Sequence, residues 1–144
     1  MPTFEYALTI DAPPARVWDL VSDVEGWPSV TASVTSVEAL DGAELAVGGR
    51  FVLIQPKLRK AVWTVTALRP GSDFRWESKA PGVVTRGDHL VEEADGGGSR
   101  LTVAIVQSGP LGWLIGRLAG GLTRRYMEME AQGFKSRAEA AAGA

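Results

Sequence analysis

Six turn signals divide the middle of this 144-residue chain into short segments, and they constrain its fold more than any other feature. Each contains glycine or proline, and they lie at residues 41–42, 48–49, 56, 70–71, 81–82 and 96–98. The runs between them are rich in valine, threonine, leucine and aromatic residues, a pattern typical of antiparallel hairpins. They predict strands near residues 32–40, 49–55, 60–69, 73–80, 82–94 and 98–108.

The chain before these hairpins predicts a further strand and two short helices. Residues 4–10 combine aromatic and β-branched side chains, and two prolines at 13–14 end this strand and favour a helix start. Residues 15–21 repeat apolar side chains at helical spacing. We expect a second short helical piece toward Trp27, which makes a helical corner after the first of seven strands.

The end of the chain, from about residue 110 to residue 139, predicts one long helix. Gly112, Gly116 and Gly120 fall on one flank of it, where a neighbouring loop or a second subunit would approach closely. A different, apolar face is expected to be buried. That face carries Leu111, Leu114, Ile115, Leu118, Leu122, Tyr126 and Met129.

Composition narrows the class of protein. The length, with 45% hydrophobic and 22% charged residues, suits one globular domain, and the absence of cysteine excludes disulfides and thiolate chemistry. A formal charge of −2 with scattered basic residues gives no overall field to attract nucleic acid or anionic lipid. The apolar stretch 109–122 is shorter than the about 20 residues that span a bilayer, so we expect no stable membrane insertion. The first ten residues show no secretory signal, so we expect a cytoplasmic protein.

Five segments carry a resemblance through their order and spacing: DAPPARVWDLVSD at 11–23, VGGRF at 47–51, GGGSRLTV at 96–103, SGPLG at 108–112 and AQGFKSRAEA at 131–140. The chain resembles the START and birch-pollen-allergen superfamily, called SRPBCC, and most closely its bacterial polyketide cyclase/dehydrase-like branch. The resemblance implies an α+β helix-grip fold over residues 1–140, followed by a short Ala/Gly tail at 141–144. In that fold a seven-stranded curved antiparallel sheet wraps the long C-terminal helix and leaves a hollow between them.

Strand alternation predicts which side chains line such a hollow, because successive strand residues point to opposite faces. Ordinary core packing explains these positions as well as ligand contact does, although Trp63 and Trp76 offer large flat surfaces for stacking. The helix would contribute Leu114, Leu118 and Leu122. The inward set from the strands is Phe51, Leu53, Gln55, Trp63, Val65, Phe74, Trp76, Leu101, Val103, Ile105 and Gln107.

Three further side chains are candidates for polar chemistry. His89, the only histidine, shares the inward phase and would be a general base near neutral pH. The favoured alternative is a buried histidine bonded to a backbone carbonyl, because nothing nearby in sequence completes a catalytic arrangement. Arg125 would reach an acidic or carbonyl group of a ligand, or else extend to water or pair with Glu128. Tyr126 would donate its hydroxyl to a bound carbonyl, or be core.

Three functions fit this pattern. The chain has one histidine and no cysteine, so we expect no metal site. It also lacks a nucleophile elbow and a phosphate-binding loop. We therefore expect no cofactor, and no catalytic residue is assigned beyond the candidates His89 and Tyr126. The favoured function is binding or transport of a small hydrophobic ligand such as a lipid, polyketide, quinone or other aromatic. The alternatives are a polyketide cyclase/dehydratase-like enzyme and a module that binds a protein partner. We expect a monomer or homodimer that binds no nucleic acid.

Overall fold

The computed structural model describes residues 2–142 and shows a curved antiparallel sheet that grips a long helix. The predicted α+β helix-grip fold is confirmed. Residues 143–144 of the predicted tail lie outside the described residues, and the C-terminal helix continues to Ala142. The elements in chain order are β1 Thr3–Ile10, α1 Pro14–Ser22, a 3₁₀ turn Val24–Ser29, β2 Ser36–Ala39, β3 Arg50–Ile54, β4 Ala61–Arg69, β5 Asp73–Ala80, β6 Val83–Glu93, a 3₁₀ turn Asp95–Gly97, β7 Ser99–Ser108 and α2 Gly112–Ala142.

The sheet is a series of antiparallel hairpins, and its first strand, β1, pairs with its last, β7, at one edge. Its strand order is β1-β7-β6-β5-β4-β3-β2, with every neighbouring pair antiparallel. Because antiparallel strands alternate in direction, the β3–β4, β5–β6 and β7–α2 connections lie together at one end, which we call the basal end. The β1–α1, β2–β3, β4–β5 and β6–β7 connections lie at the other, apical end.

Gly82 and Gly109 form the turns through which the β5–β6 connection meets the β7–α2 connection at the basal end. Gly82 and Gly109 have φ angles of 78° and 96°, in the left-handed region that favours glycine. The backbone N–H of Leu111 donates to the carbonyl oxygen of Gly82 at 2.8 Å. The β5–β6 turn is therefore bonded directly to the segment that leads into α2.

The buried stripe of α2 is not the face that the leucine pattern predicts. A Cβ on Gly116 would lie 2.5 Å from the Pro2 side chain, and one on Gly120 would lie 3.4 Å from Phe4, so the glycine flank packs against the edge formed by β1 and β7. The close approach predicted at these glycines is confirmed, but the sheet edge makes it, not a loop or a second subunit. The same stripe continues through Met127, Ala131, Phe134 and Ala138.

The predicted apolar face is correspondingly rotated away from the sheet. Leu118 is 75% exposed, so its predicted inward position is wrong, and Leu111 precedes the helix and is also exposed. Glycine has no side chain to hold the helix off the strands, and the closest approach therefore selects the glycine flank over the leucine flank. Four members of the predicted face are half-buried: Leu114, Ile115, Leu122 and Met129.

The C-terminal half of α2 is anchored by both apolar and polar contacts. Phe134 is fully buried and meets Trp27 edge to face, with ring centroids 5.6 Å apart. The Glu139 carboxylate accepts a 2.8 Å hydrogen bond from the backbone N–H of Asp11 and a 2.7 Å bond from Lys135 Nζ. These two donors hold the pKa of Glu139 below its usual value.

Substitutions of two glycines in α2 test the close packing of this helix. We expect Gly133→Ala to destabilise the protein by about 1–3 kcal/mol, because the new Cβ would lie 2.4 Å from the backbone carbonyl oxygen of Val30. Gly121→Ala is the matched control, since its Cβ meets nothing within 4 Å. Replacing this helical glycine should stabilise by about 0.5–1 kcal/mol. Urea unfolding measures both free energies, and equal effects would contradict the packing described.

Candidate functional site

Aromatic rings fill the apical half of the concave sheet face. Trp27 stands over it, with its ring centroid 5.3 Å from those of both Trp76 and His89. Its indole Nε1 donates to the carbonyl oxygen of Val21 at 3.1 Å, which fixes the ring in place. We call this region the filled half. Its other inner-face side chains are all buried: Phe74, Val91, Leu101 and Val103.

The basal half of the same face is more open. Ser78 and Thr85 are register partners, and Thr85 also pairs with Gln107, so these positions continue the inner phase of Trp76. Ser78, Thr85 and Ile105 are nevertheless only half-buried. Their partial exposure on an inner face indicates space between the sheet and α2. We call this region, residues 78, 85, 87, 105 and 107, the open half.

Gly87 makes room for the Trp76 indole at the border between the two halves. It is the register partner of Trp76, and a Cβ there would lie 2.9 Å from Trp76 Nε1. The indole therefore lies against bare strand backbone, which a larger residue would prevent. Trp63 lies beside it, with ring centroids 5.2 Å apart and planes inclined by 35°.

The helix closes the open half from the side of the β3–β4 connection. The Tyr126 hydroxyl donates a hydrogen bond to the carbonyl oxygen of Pro56 in that connection. Leu122 and Met129 lie one turn before and after Tyr126, so they share its side of the helix. Both are half-buried. The leucine face of α2 thus borders the open half without being enclosed by the sheet.

Two buried polar atoms of this region have no hydrogen-bond partner among the described residues. They are Trp63 Nε1 and Gln107 Oε1, on side chains that are about nine-tenths buried. Leaving a buried donor or acceptor unpaired costs about 1–3 kcal/mol. The described residues therefore leave one buried N–H donor and one buried carbonyl acceptor without a hydrogen bond.

His89 has a partner that sequence reasoning missed. Its Nε2 lies 2.5 Å from Glu130 Oε1 in α2, and both side chains are largely buried. The favoured expectation of a bond to a backbone carbonyl is therefore wrong. Its ring stacks on Phe74 at 4.6 Å between centroids, and Nδ1 has no partner among residues 2–142. Glu130 follows Met127 by three residues and precedes Phe134 by four, a spacing that could have indicated its inward face.

The remaining predicted site residues divide between core and solvent. Phe51, Leu53 and Val65 are buried, and Phe51 contacts Trp76 with ring centroids 6.2 Å apart. Gln55 is half-buried, and its Nε2 donates to the carbonyl oxygen of Ser33 at 3.1 Å. Arg125 is exposed on α2, so the interpretation that it reaches a ligand in the hollow is wrong and the alternative that it extends to water holds.

A separate cleft of about 420 Å³ lies at the apical end. Sequence reasoning missed it because it forms only where α1 meets two strand connections, and no strand or helix pattern brings these segments together. It contains none of the predicted site residues. Its lining residues are Trp18, Ser22, Asp23, Ala43, Glu44, Leu45, Leu68 and Pro70.

Comparison with known proteins identifies the family. The family model described as polyketide cyclase / dehydrase and lipid transport matches residues 1–139. The chain belongs to this family. The resemblance seen in the sequence is thereby confirmed. No curated protein sequence matches the chain.

Solved structures show the same fold at low sequence identity. XoxI from Bacillus cereus has a TM-score of 0.78 at 13% identity, with 96% of each chain covered. The Zhui aromatase/cyclase from Streptomyces sp. R1128 has a TM-score of 0.76 at 18% identity, covering 95% of this chain and 93% of its own. Ara h 8.0201 has a TM-score of 0.64 at 17% identity, covering 93% and 97%.

Between residues 2 and 142, no helix has the length and apolar character needed to cross a bilayer. Within the same range, no three histidine or acidic side chains are grouped closely enough to hold a metal ion.

Removing the carboxylate beside His89 tests that pair. We expect Glu130→Ala to destabilise the protein by about 1–3 kcal/mol, because both ring nitrogens of the buried His89 would then lack partners. Glu128→Ala is the control, since Glu128 is exposed on the same helix and its loss should change stability by no more than about 0.5 kcal/mol. Urea unfolding of both variants measures the difference. A Glu130→Ala protein as stable as Glu128→Ala would refute the structural role of the pair.

Proposed function

We propose that this protein binds a small hydrophobic ligand, such as a lipid, polyketide, quinone or other aromatic, in the open half of the concave face. The observation that carries the proposal is the partial exposure of Ser78, Thr85 and Ile105 on an inner face whose apical half is closed. A concave apolar site with a few polar groups is the usual form of a small-molecule pocket. The family description, which includes lipid transport, supports the same class of ligand.

The surrounding side chains favour an aromatic or polyene ligand with one polar end. Trp63 and Trp76 form a pair of neighbouring buried rings beside the open half, against which a planar ring of the ligand would pack. Trp63 Nε1 would donate to a carbonyl or hydroxyl oxygen of the ligand, and Gln107 Oε1 would accept from a hydroxyl. The ligand would therefore be bound mainly by apolar contact and oriented by one or two hydrogen bonds.

The enzyme alternative receives less support from the same contacts. The Zhui protein is an aromatase/cyclase, but its likeness at 18% identity concerns the fold. In this chain His89 lies in the filled half between Phe74 and Trp27, and the Tyr126 hydroxyl is engaged with Pro56. His89 is bonded through Nε2 to Glu130 and Tyr126 through its hydroxyl to Pro56, so each candidate already has a structural partner, which favours binding without turnover.

Filling the open half should abolish this binding. We expect Thr85→Leu to weaken the affinity for the uncharged probe N-phenyl-1-naphthylamine by at least about tenfold, because the added methyl groups occupy the space above β6. Thr102→Leu is the matched control, since Thr102 points to the outer face of the neighbouring strand β7. Probe fluorescence gives both dissociation constants, and circular dichroism checks that both variants fold. Unchanged affinity in Thr85→Leu, or no binding by the parent protein, would refute the proposed site.

The donor role of Trp63 can be tested separately. Trp63→Phe keeps an aromatic ring and removes the N–H, so we expect about three- to tenfold weaker binding of 2-acetonaphthone, which carries a carbonyl. Binding of unsubstituted naphthalene should change less than twofold and serves as the control ligand. Fluorescence titration measures both. Equal losses for the two ligands would mean that Trp63 contributes through packing alone.

A further inference from the structure

Lysine and arginine residues are concentrated at the basal end of the molecule. It includes residues 55–61, 78–85 and 106–127, the segments around its three connections and the first half of α2, together with the starts of β1 and β2, near which Glu5 and Glu38 lie. The three numbered segments contain no aspartate or glutamate. The expectation of scattered basic residues therefore holds along the chain but is wrong for the folded surface. The basal cations are Lys57, Arg59, Lys60, Lys79, Arg117, Arg124 and Arg125.

These cations differ from those elsewhere on the surface, which are largely paired. Arg50 Nε lies 2.9 Å from Asp41, and Arg75 Nε lies 2.6 Å from Asp88. Among residues 2–142, none of the seven basal cations belongs to an ion pair. Arg124 instead lies over the Phe4 ring, 5.0 Å from its centroid. No carboxylate is therefore bonded directly to any of the seven, and the nearest acidic residue along α2 is Glu128, one turn after Arg124.

Large apolar side chains project from the same end. Trp113 is 60% exposed and Leu118 is 75% exposed, and both lie on α2 beside Arg117. Leu58 lies between Lys57 and Arg59 in the β3–β4 connection, and Leu111 precedes α2; each is 43% exposed. The glycine packing of α2 leaves Trp113 and Leu118 largely exposed to water.

We infer that the basal end docks on the surface of an anionic phospholipid bilayer. Trp113 and the exposed leucines would enter the interfacial region, and the basal cations would lie against lipid phosphates. Tryptophan and leucine flanked by lysine and arginine on an amphipathic surface are typical of interfacial binding. The helix would lie on the membrane and would not cross it.

Charge favours a bilayer over a second copy of the chain as the occupant. A twofold symmetric dimer through this face would place the same basic patch on both sides of the interface. The seven unpaired cations would then repel one another, whereas an anionic surface neutralises them. This inference rests on side chains that point outward and does not depend on ligand binding in the open half.

Vesicle sedimentation tests the docking directly. We expect the full chain to bind phosphatidylcholine vesicles containing 30% phosphatidylserine at least tenfold more tightly than pure phosphatidylcholine vesicles, at low ionic strength. Raising the salt to 0.5 M should remove most of the difference, because exposed charges are then screened within a few ångströms. Equal binding to both vesicles, or no binding to either, would overturn the inference.

Paired variants locate the docking surface. Arg117→Glu with Arg125→Glu should reduce binding to the anionic vesicles at least tenfold, while Arg100→Glu, at the apical end of β7, should leave it within twofold. Trp113→Ala should weaken binding several-fold, and Val47→Ala, at a similarly exposed apical valine, should not. Equal effects of basal and apical variants would contradict the assignment of this end.

Two controls distinguish the bilayer from other partners. Sedimentation velocity without vesicles should show no dimer that Trp113→Ala dissociates, since such a dimer would mean that the face binds a second copy. Soluble polyglutamate should compete weakly with the vesicles. If polyglutamate bound as tightly as the anionic vesicles, and Trp113→Ala had no effect, the surface would fit an acidic protein and the inference would be overturned.

Discussion

The close approach of α2 to the β1–β7 edge determines the arrangement of the rest of the molecule. Gly116 and Gly120 bring helix backbone to within side-chain contact of Pro2 and Phe4, so no other flank of the first half of α2 can meet the strands. The leucine flank is consequently turned toward the β3–β4 connection and toward solvent. This one contact accounts for the half-buried Leu122 and for the exposed Leu118.

The filled half of the concave face holds the main core contacts, and the proposed binding site lies in the other half. In the filled half, Trp27 and Phe134 cover the sheet, and their burial supplies the large apolar contact that a domain of this size needs. In the open half, Ser78 and Thr85 place small side chains where larger residues would cover more of the inner face. A protein can keep such a space only because close packing elsewhere offsets the lost contacts.

The strands were predictable from local sequence, and the contacts between elements were not. Glycine and proline turn signals placed β5 at 73–80, as observed, because a turn needs particular backbone angles whatever surrounds it. The strand predicted at 32–40 is shorter, since residues 31–34 form a turn in which the N–H of Val34 donates to Thr31. Periodicity identified which residues of α2 share a face, but not which face meets the sheet. The Glu130 partner of His89 likewise lies 41 residues away and depends on the docked position of α2.

The rotation of α2 also connects the two proposals. The orientation of α2 that leaves the open half only partly covered also exposes Trp113 and Leu118 to water, near Arg117 on the same helix. The two segments that meet beside the open half, α2 and the β3–β4 connection, both carry exposed leucines and basic side chains without an ion-pair partner. The net charge of −2 does not reveal the basic residues of the basal end, because the acidic residues that balance them lie in other segments. In the two proposals together, the side chains of the open half would determine which ligand binds, and the exposed side chains of the basal end would determine which membrane the protein docks on.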